Sequence, residues 1–343
     1  MNIKDLEIIL NESNEPSFRL KQILKAVYQD GVLDFDKINN IPKNLKDKLK
    51  DFPVLCFKIQ EIQEGIDSKK ALIVLDDGKL IESVLIKNST GFTACISIQV
   101  GCAMNCSFCA TGQNGFKRNL TTEEITDQIL FWKNYLLEKK YGLLTNIVYM
   151  GMGEPFLNYE NLKESIKKFT DPGFFNIGDR SISVSTSFPA STNIEKFVKE
   201  FPQVNIAISL HFADNKKRSL YMPINDRANL EDIAKFINKY LDINNRKIFL
   251  EYIMLDDIND NEYDAKRLIE YVKSINKNYL VHINLIKYNA TFKDFNSSKK
   301  EKIIKFEHFL KREGISMTVR KSMGEDIDGA CGQLAGKTEK NNK

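Results

Sequence analysis

No stretch of this sequence approaches 18 consecutive apolar residues, so a membrane-spanning helix of ordinary length is not expected. The opening residues, MNIKDLEIILNESNEPSFRL, lack the basic start, apolar centre and small-residue cleavage site of a secretory leader, and a cytoplasmic protein is expected. Neither sign of charge dominates: 50 Lys and Arg against 46 Asp and Glu leave +4, which permits a local basic surface without announcing a nucleic-acid binder. Compositional bias is also missing. With 42% hydrophobic and 28% charged residues, the disordered and fibrous classes drop out. At roughly 150 residues per domain, 343 residues allow about two domains and a sizeable core. Cysteine is scarce, and three of the six cysteines (56, 95, 102, 106, 109 and 331) fall within eight residues, which speaks against a disulfide framework and for a metal site.

The chain divides into three rhythms. Up to about Phe52 the apolar residues recur at helical spacing (Leu6, Ile9, Leu10; Leu20, Ile23, Leu24, Val27), which predicts a small helical unit taken as residues 1–68. Its Lys-rich stretch NIPKNLKDKLKDF reads as a solvated face, with RNA contact as the sharper alternative. ALIVLDDGKLIESVLI then predicts a hairpin turning at Asp76-Asp77-Gly78, part of an extension over 69–100 that leads to the cysteines. After it, strand-like runs (NIVYM, SISVST, VNIAISL, KIFLEYIML, LVHINLI, SMTVR) alternate with helical ones, the pattern of repeated βα units on a mostly parallel sheet. Six units are too few for an eight-unit barrel, leaving an incomplete barrel or a doubly wound sheet, either of which gathers function at the carboxyl ends of strands. The core is taken as residues 88–325 and the C-terminal loop and tail as 326–343.

Cys102, Cys106 and Cys109 form C-x3-C-x2-C on one short loop. Structural zinc wants four closed ligands, and the local count stops at three, with Cys95 and Cys331 as distant candidates for a fourth. A four-iron cluster on three thiolates leaves one iron open, as a catalytic site requires. Gly101, Gly112 and Gly115 allow a tightly wrapped loop, and Phe108 can shield the metal.

With CISIQVGCAMNCSFCATGQNGFKRNL, YMGMGEPFLNY, SVSTS, SLH, MPIN, EYIML, HINLIKYN and VRKSMGEDIDGACGQLAG in this order, the sequence resembles the radical S-adenosylmethionine (SAM) enzymes, and within them the RlmN/Cfr family of RNA adenine methyltransferases. The resemblance covers nearly the whole chain. It implies an α/β fold, an incomplete (βα)6 TIM-like barrel with a helical N-terminal domain and a β-hairpin extension, a [4Fe-4S] cluster on Cys102, Cys106 and Cys109, and two SAM per turnover. It assigns SAM binding to Gly153 and Glu154 of GMGEP, Ser185, Ser209, Leu210, His211 and Asn289. Each has a plainer reading on its own, such as a glycine turn, a structural histidine or a turn asparagine.

The same resemblance makes Cys331 the cysteine that is methylated on sulfur and delivers the carbon, Cys95 its partner in a transient disulfide, and Glu82 the proton acceptor. From the residues alone, Cys95 reads as a small buried hydrophobe and Glu82 as a solvent-facing strand residue. Cys56 has no matching role and reads as core. Lys117 and Arg118 in GFKRNL stand near the site as RNA contacts or plain surface charges.

The resemblance implies methylation of C2 of an adenosine in 23S rRNA, at the peptidyl transferase centre, with adenosine 37 of tRNA as a second substrate. It also implies a flavodoxin or ferredoxin-type electron donor. The cluster-proximal pieces GMGEPFLNY, GFKRNL and DIDGACGQLAG favour the C2 branch, whereas EITDQIL, FTDP and MPINDR look more like the C8 branch associated with antibiotic resistance. Phe188 after STS and Phe212 after SLH depart from the family pattern and are expected to reshape the SAM pocket. A zinc-binding, RNA-associated structural protein and a radical SAM enzyme with another substrate are the competing readings.

Overall fold

The computed structural model describes residues 1–336 apart from 190, 292 and 293; the sequence-predicted tail at 337–343 lies outside the described residues. Three helices open the chain: α1 (Ile3–Glu12), α2 (Phe18–Leu24), prolonged by a π turn over Lys25–Gln29, and α3 (Lys43–Leu49). Leu6, Ile23, Val27, Leu45 and Leu49 are fully buried, as their helical spacing predicts. On the Lys-rich stretch, Lys46 donates to the Asp36 carbonyl and Lys48 to Ser13 Oγ, so part of that face is occupied within the unit.

The sheet begins earlier than the sequence suggests. β1 (Phe57–Glu64) pairs antiparallel with β2 (Ser68–Leu75), and β2 with β3 (Leu80–Lys87), so residues 57–64, assigned above to the helical unit, form the outer strand of a three-stranded meander. FKIQEIQE is mostly polar and mostly half-buried or exposed, as suits an edge strand; Phe57 is buried and Ile59 and Ile62 pack on the core, but a bulge between Ile59 and Glu61 breaks their alternation. The turn between β2 and β3 falls at the predicted Asp76-Asp77-Gly78, with Gly78 at φ +76°.

β4 (Phe92–Cys95) joins the meander to the core. It runs antiparallel to β3 and parallel to the next core strand. A two-stranded ribbon, β5 (Gln99–Gly101) with β6 (Phe116–Asn119), brackets the cysteine loop and the one-turn helix α4 (Ala110–Gln113). The core then alternates: α5 (Thr122–Lys139), β7 (Leu144–Tyr149), α6 (Tyr159–Thr170), β8 (Ile182–Thr186), α7 (Ser191–Glu200), β9 (Asn205–Ser209), α8 (Asn215–Tyr221), α9 (Leu230–Asn244), β10 (Ile248–Met254), α10 (Glu262–Lys273), β11 (Val281–Lys287), α11 (Lys300–Arg312) and β12 (Met317–Arg320). α8 is a short additional helix that its seven polar-rich residues, NKKRSLY, do not advertise.

Strand order β4-β7-β8-β9-β10-β11-β12 follows the sequence without reversal, and every adjacent pair is parallel. A doubly wound sheet reverses its order at a switch point, and none occurs here. With crossovers of one hand, all the helices fall on the outer side and the sheet curls as six βα units ending on β12, an incomplete barrel. Ile182 and Val184 of β8, Ile206 and Ile208 of β9 and Leu250 of β10 are fully buried on the helical side. The alternate positions, including Ser183, Ser185, Ser209, Glu251 and Asn284, make the concave face polar, as a substrate chamber requires.

α5 seats the meander against the core. A Thr121–Glu124 capping box starts it, and the fully buried Trp132 donates from Nε1 to Ser83 Oγ at 2.9 Å. Ser83 Oγ in turn donates to the Cys95 carbonyl at 3.0 Å, which ties helix, meander and first core strand together. Cys56, the cysteine without a role, is half-buried, and its backbone N–H donates to Asp127 on α5.

Gly101 is where the fold constrains the site most severely. Its φ is +74°, and a Cβ there would sit 1.8 Å from the Gly115 carbonyl oxygen. Gly101→Ala is expected to destabilise the protein by about 3 kcal/mol or more and to lower iron uptake, read by denaturant unfolding and iron content. An unchanged denaturation midpoint would show that the ribbon relaxes freely.

Candidate active site

The cysteine loop leaves the end of β5. Cys102, Cys106 and Cys109 are each half-buried and pack against an apolar wall of Met104, Phe108, Phe212, Met222, Ile224, Ile253, Leu255 and Tyr288. Burial raises the thiols of Cys102 and Cys106, and each lies close enough to Cys109 for charge on that sulfur to raise it further. Three thiolates on one loop would leave one iron of a four-iron cluster open, and the apolar wall keeps the loop dry, so the donor set and its setting fit such a cluster.

Glu154 follows β7. It is buried, and both carboxylate oxygens already accept: Oε1 from Thr186 Oγ1 at 2.7 Å and the Phe156 N–H at 3.2 Å, Oε2 from the Ser187 N–H and Oγ, both at 2.8 Å. Burial raises its pKa against these hydrogen bonds. Gly153, at φ +103°, lies so near Gln99 that a Cβ would sit 2.5 Å from the Gln99 Cβ, and the Gln99 side chain in turn accepts from the Glu154 N–H at 2.8 Å. The GMGEP turn is thus locked onto β5 and β8.

Ser185 and Ser209 meet across the strand ends, their hydroxyls 3.3 Å apart. Leu210 is fully buried, and with His211 its N–H reaches the Glu251 carbonyl. His211 sits at φ +58°, accepts at Nδ1 from the Ile253 N–H at 3.1 Å and meets Phe108 edge-on at 5.2 Å. With Nδ1 accepting, the proton is on Nε2, leaving that N–H as a donor. Burial first, and the Arg218 charge second, push the His211 pKa down to about 3. Asn289 donates from Nδ2 to the Cys331 carbonyl at 3.4 Å, and its Oδ1 is buried without a hydrogen-bond partner. A buried acceptor without a partner is what a bound donor group would complete.

The C-terminal loop closes onto the cysteine loop. The Gly332 carbonyl accepts from the Ala110 N–H at 2.8 Å, the Leu334 carbonyl from Thr111 Oγ1 at 2.6 Å and the Ala335 carbonyl from Asn114 Nδ2 at 2.7 Å. Cys331 is exposed, though its concave surroundings and, after them, the Glu251 carboxylate raise its thiol. Cys95 is buried at the end of β4, its thiol raised first by burial and then by charge on Cys331. Glu82 departs from the solvent-facing alternative: it is only 4% exposed.

Two features escaped the sequence reading. Arg218, on α8, is fully buried and is hydrogen-bonded to Asn225 Oδ1 and the carbonyls of Ser187, Ser209, Leu210 and Ala228. Its charge lowers the Cys106 thiol against the burial that raises it. In sequence, KKRSLY shows only a basic helix face. Arg118 is bound at 2.8 Å by both oxygens of Glu124 and at 2.7 Å by Asp77, so it joins the hairpin to α5 as a structural cation. The departures also resolve. Phe188, at φ +68°, is fully buried against Phe236, on the side of the helices, whereas Phe212 stacks on Tyr221 at 5.1 Å within the wall of the cysteine site.

A model of the radical SAM superfamily matches residues 96–269, and one of the N-terminal domain of ribosomal RNA large subunit methyltransferases matches residues 1–55. The chain belongs to the RlmN branch of the radical SAM superfamily. It is 39% identical over 338 residues to a probable dual-specificity RNA methyltransferase RlmN of Thermoanaerobacter sp., covering 97% of this chain and 96% of the relative. For its counterpart of the same name in Carboxydothermus hydrogenoformans the figures are 40% over 341 residues, 98% and 97%. A crystal structure of a radical SAM methyltransferase from Sphaerobacter thermophilus superposes with a TM-score of 0.89 at 35% identity, covering 98% of both chains. As a radical SAM enzyme of this branch, the protein uses a four-iron cluster and SAM on an RNA substrate. The zinc reading is thereby set aside. No helix among the described residues is long and apolar enough to cross a membrane.

In an RlmN-type site of this kind His211 is a neutral donor over the working pH range. Unfolded, it takes a proton below about pH 6.5, whereas folded it does so only near pH 3, so its contribution is present above 6.5 and is lost as pH falls toward 3. The denaturation midpoint is expected to fall over that window, less steeply in His211→Gln. Equal slopes for the two proteins would remove His211 from the account.

Proposed function

We propose that the protein methylates C2 of adenosine in 23S rRNA, and adenosine 37 of tRNA, by carrying the carbon on Cys331, with Cys102, Cys106 and Cys109 as the cluster ligands. The observation that carries this reading is the docking of the C-terminal loop on α4, which brings Cys331 from more than 200 residues away to the cysteine loop. A structural cysteine gains nothing from that placement. The relatives' printed name, dual-specificity RNA methyltransferase, supports both rRNA and tRNA as substrates.

Adenine C2 is not nucleophilic, so direct methyl transfer is unavailable to it. When bound, the cluster and two SAM molecules per turnover supply a methyl group for sulfur and a means of activating that methyl by radical chemistry. Cys102, Cys106 and Cys109 would hold the cluster against its apolar wall. His211 Nε2–H, the Ser185 and Ser209 hydroxyls, the orphaned Asn289 Oδ1 and the backbone at Gly153 and Leu210 would orient SAM. Glu154, whose oxygens are already engaged, would act through the GMGEP turn it braces, or exchange one donor for the methionyl ammonium.

Cys331 would then hold the carbon covalently against the adenine, Glu82 would receive the ring proton, and Cys95 would form the disulfide with Cys331 that frees the product. Each turnover leaves that disulfide to be reduced by an external thiol, and the cluster electron would come from a flavodoxin or ferredoxin-type donor. RNA binding is assigned to the N-terminal unit and to Lys79 and Lys117, which line a cleft beside Gly101, Ala335 and Gly336.

The test is anaerobic reconstitution with iron and sulfide, then reaction with SAM, reductant and an rRNA fragment, followed by nucleoside mass spectrometry. 2-Methyladenosine that disappears in Cys331→Ala is expected. 8-Methyladenosine would move the enzyme to the C8 branch, and SAM cleavage without methyladenosine would give it another substrate. Cys95→Ala is expected to retain the protein–RNA crosslink, visible as a shifted band on denaturing gels.

A further inference from the structure

Lys70 lies in β2 and is buried, an uncommon position for lysine unless it is paired. Its Nζ stands 3.2 Å from Glu82 Oε1 and also 3.2 Å from the Asp328 carbonyl, to which it donates. Glu82 uses its other oxygen on the far side of the same loop: Oε2 accepts from the Ala335 N–H at 2.6 Å and the Gly336 N–H at 2.9 Å. One buried ion pair therefore grips the loop carrying Cys331 at both ends, at 328 through the lysine and at 335–336 through the glutamate. Gly336 is part of the seat, since a Cβ there would sit 2.7 Å from the Leu80 carbonyl oxygen.

We propose that Lys70 is a positioning residue which, with Glu82, latches the Cys331 loop in its docked state, and that protonation of Glu82 releases the latch. The proposal rests on the reading of Glu82 as proton acceptor. When the proton of the substrate C–H bond passes to Glu82, the bonding electrons stay on the ring and the carboxylate becomes a neutral acid. The attraction to Lys70 is then lost, and the two backbone N–H bonds to Oε2 lose their charge assistance, roughly half their strength. The buried Lys70 ammonium, left without a counter-charge, favours the open arrangement in which it can reach water. The loop is freed at the step where Cys331 must reach Cys95, so proton removal and the swing of the carrier are coupled by one pair of side chains.

The test reads the loop directly and needs neither RNA nor cluster. Hydrogen exchange resolved to the 328–336 peptide and alkylation of Cys331 by iodoacetamide, followed by peptide mass spectrometry, are measured on the full chain as wild type, Lys70→Met, Lys70→Arg and Glu82→Gln. Lys70→Met and Glu82→Gln are expected to speed both readouts by about tenfold or more, with exchange in α5 and β10 unchanged, while Lys70→Arg keeps both within about threefold of wild type. Unchanged rates in Lys70→Met and Glu82→Gln would overturn the latch. So would a rise spread evenly over α5 and β10, because Lys70 would then be a core residue only. If Lys70→Met does not fold, Glu82→Gln and Lys70→Arg carry the comparison by themselves. Failure of the wild type to form methyladenosine would instead remove the underlying reading of Glu82 while leaving the exchange result standing.

Discussion

Two buried charges hold the carboxyl ends of the core strands, and the site depends on both. Glu154 binds the end of β8 through Thr186 and Ser187, and Arg218 binds the same segment from the other side through the Ser187 carbonyl before reaching Leu210, beside the end of β9. Neither group has an ion-pair partner among the described residues; each is compensated by hydrogen bonds instead. Removing an ion from water costs several kcal/mol even after relaxation, so such groups persist only where nearly every polar atom is answered. The return is rigidity where, on the proposed reading, Ser185, Ser209 and His211 would face one ligand from different strands. Hydrophobic packing fixes a strand's depth in a core, but it is non-directional and does not aim a hydroxyl.

The same guanidinium shapes the electrostatics of the cysteine loop. Apolar surroundings from Phe108, Phe212, Met222 and Leu255 oppose thiolate formation, and Arg218 is the nearby cation that offsets them at Cys106. A cluster held here would sit in a low-dielectric wall with one fixed positive charge behind it, and burial and nearby charge are two of the means by which a protein sets a cluster's potential. His211 is held neutral mainly by its burial, and that charge adds to the effect.

Much of this was legible in the chain. Strand-like runs alternating with helical ones gave the parallel βα core, and C-x3-C-x2-C marked the cysteine loop, because these signals are local. β1 was missed because a bulge between Ile59 and Glu61 breaks the alternation that Phe57 and Ile59 begin, and most of Phe57–Glu64 is polar. α8 was missed because its seven residues are too few to show a period. Arg218 and Lys70 could not be singled out: what distinguishes a buried cation from a solvated one is its distant neighbours, and those lie on other strands. For Glu82 the local pattern misled. A carboxylate in KLIESV reads as solvent-facing, yet the C-terminal loop, 253 residues on, covers it.

The placement of Cys331 explains why the rest of the site can be so rigid. On the proposed reading, a carrier that presents one sulfur first to SAM, then to the adenine and then to Cys95 is ill served by a strand, whose Cβ direction is fixed by the pleat. It is instead held in a short loop between Gly329 and Gly332, fastened to α4 by Gly332, Leu334 and Ala335 and to the meander by Glu82 and Lys70. These fasteners are hydrogen bonds and one ion pair, with apolar burial confined to Ala330 and Leu334. Local opening is cheapest where buried apolar contacts are few, so the loop can move without disturbing the core that aims the ligands. Cys95, by contrast, is locked in β4 under Ser83 and Trp132. On the proposed reading one sulfur travels and the other waits, and the one assigned to travel is the one placed where the sheet does not constrain it.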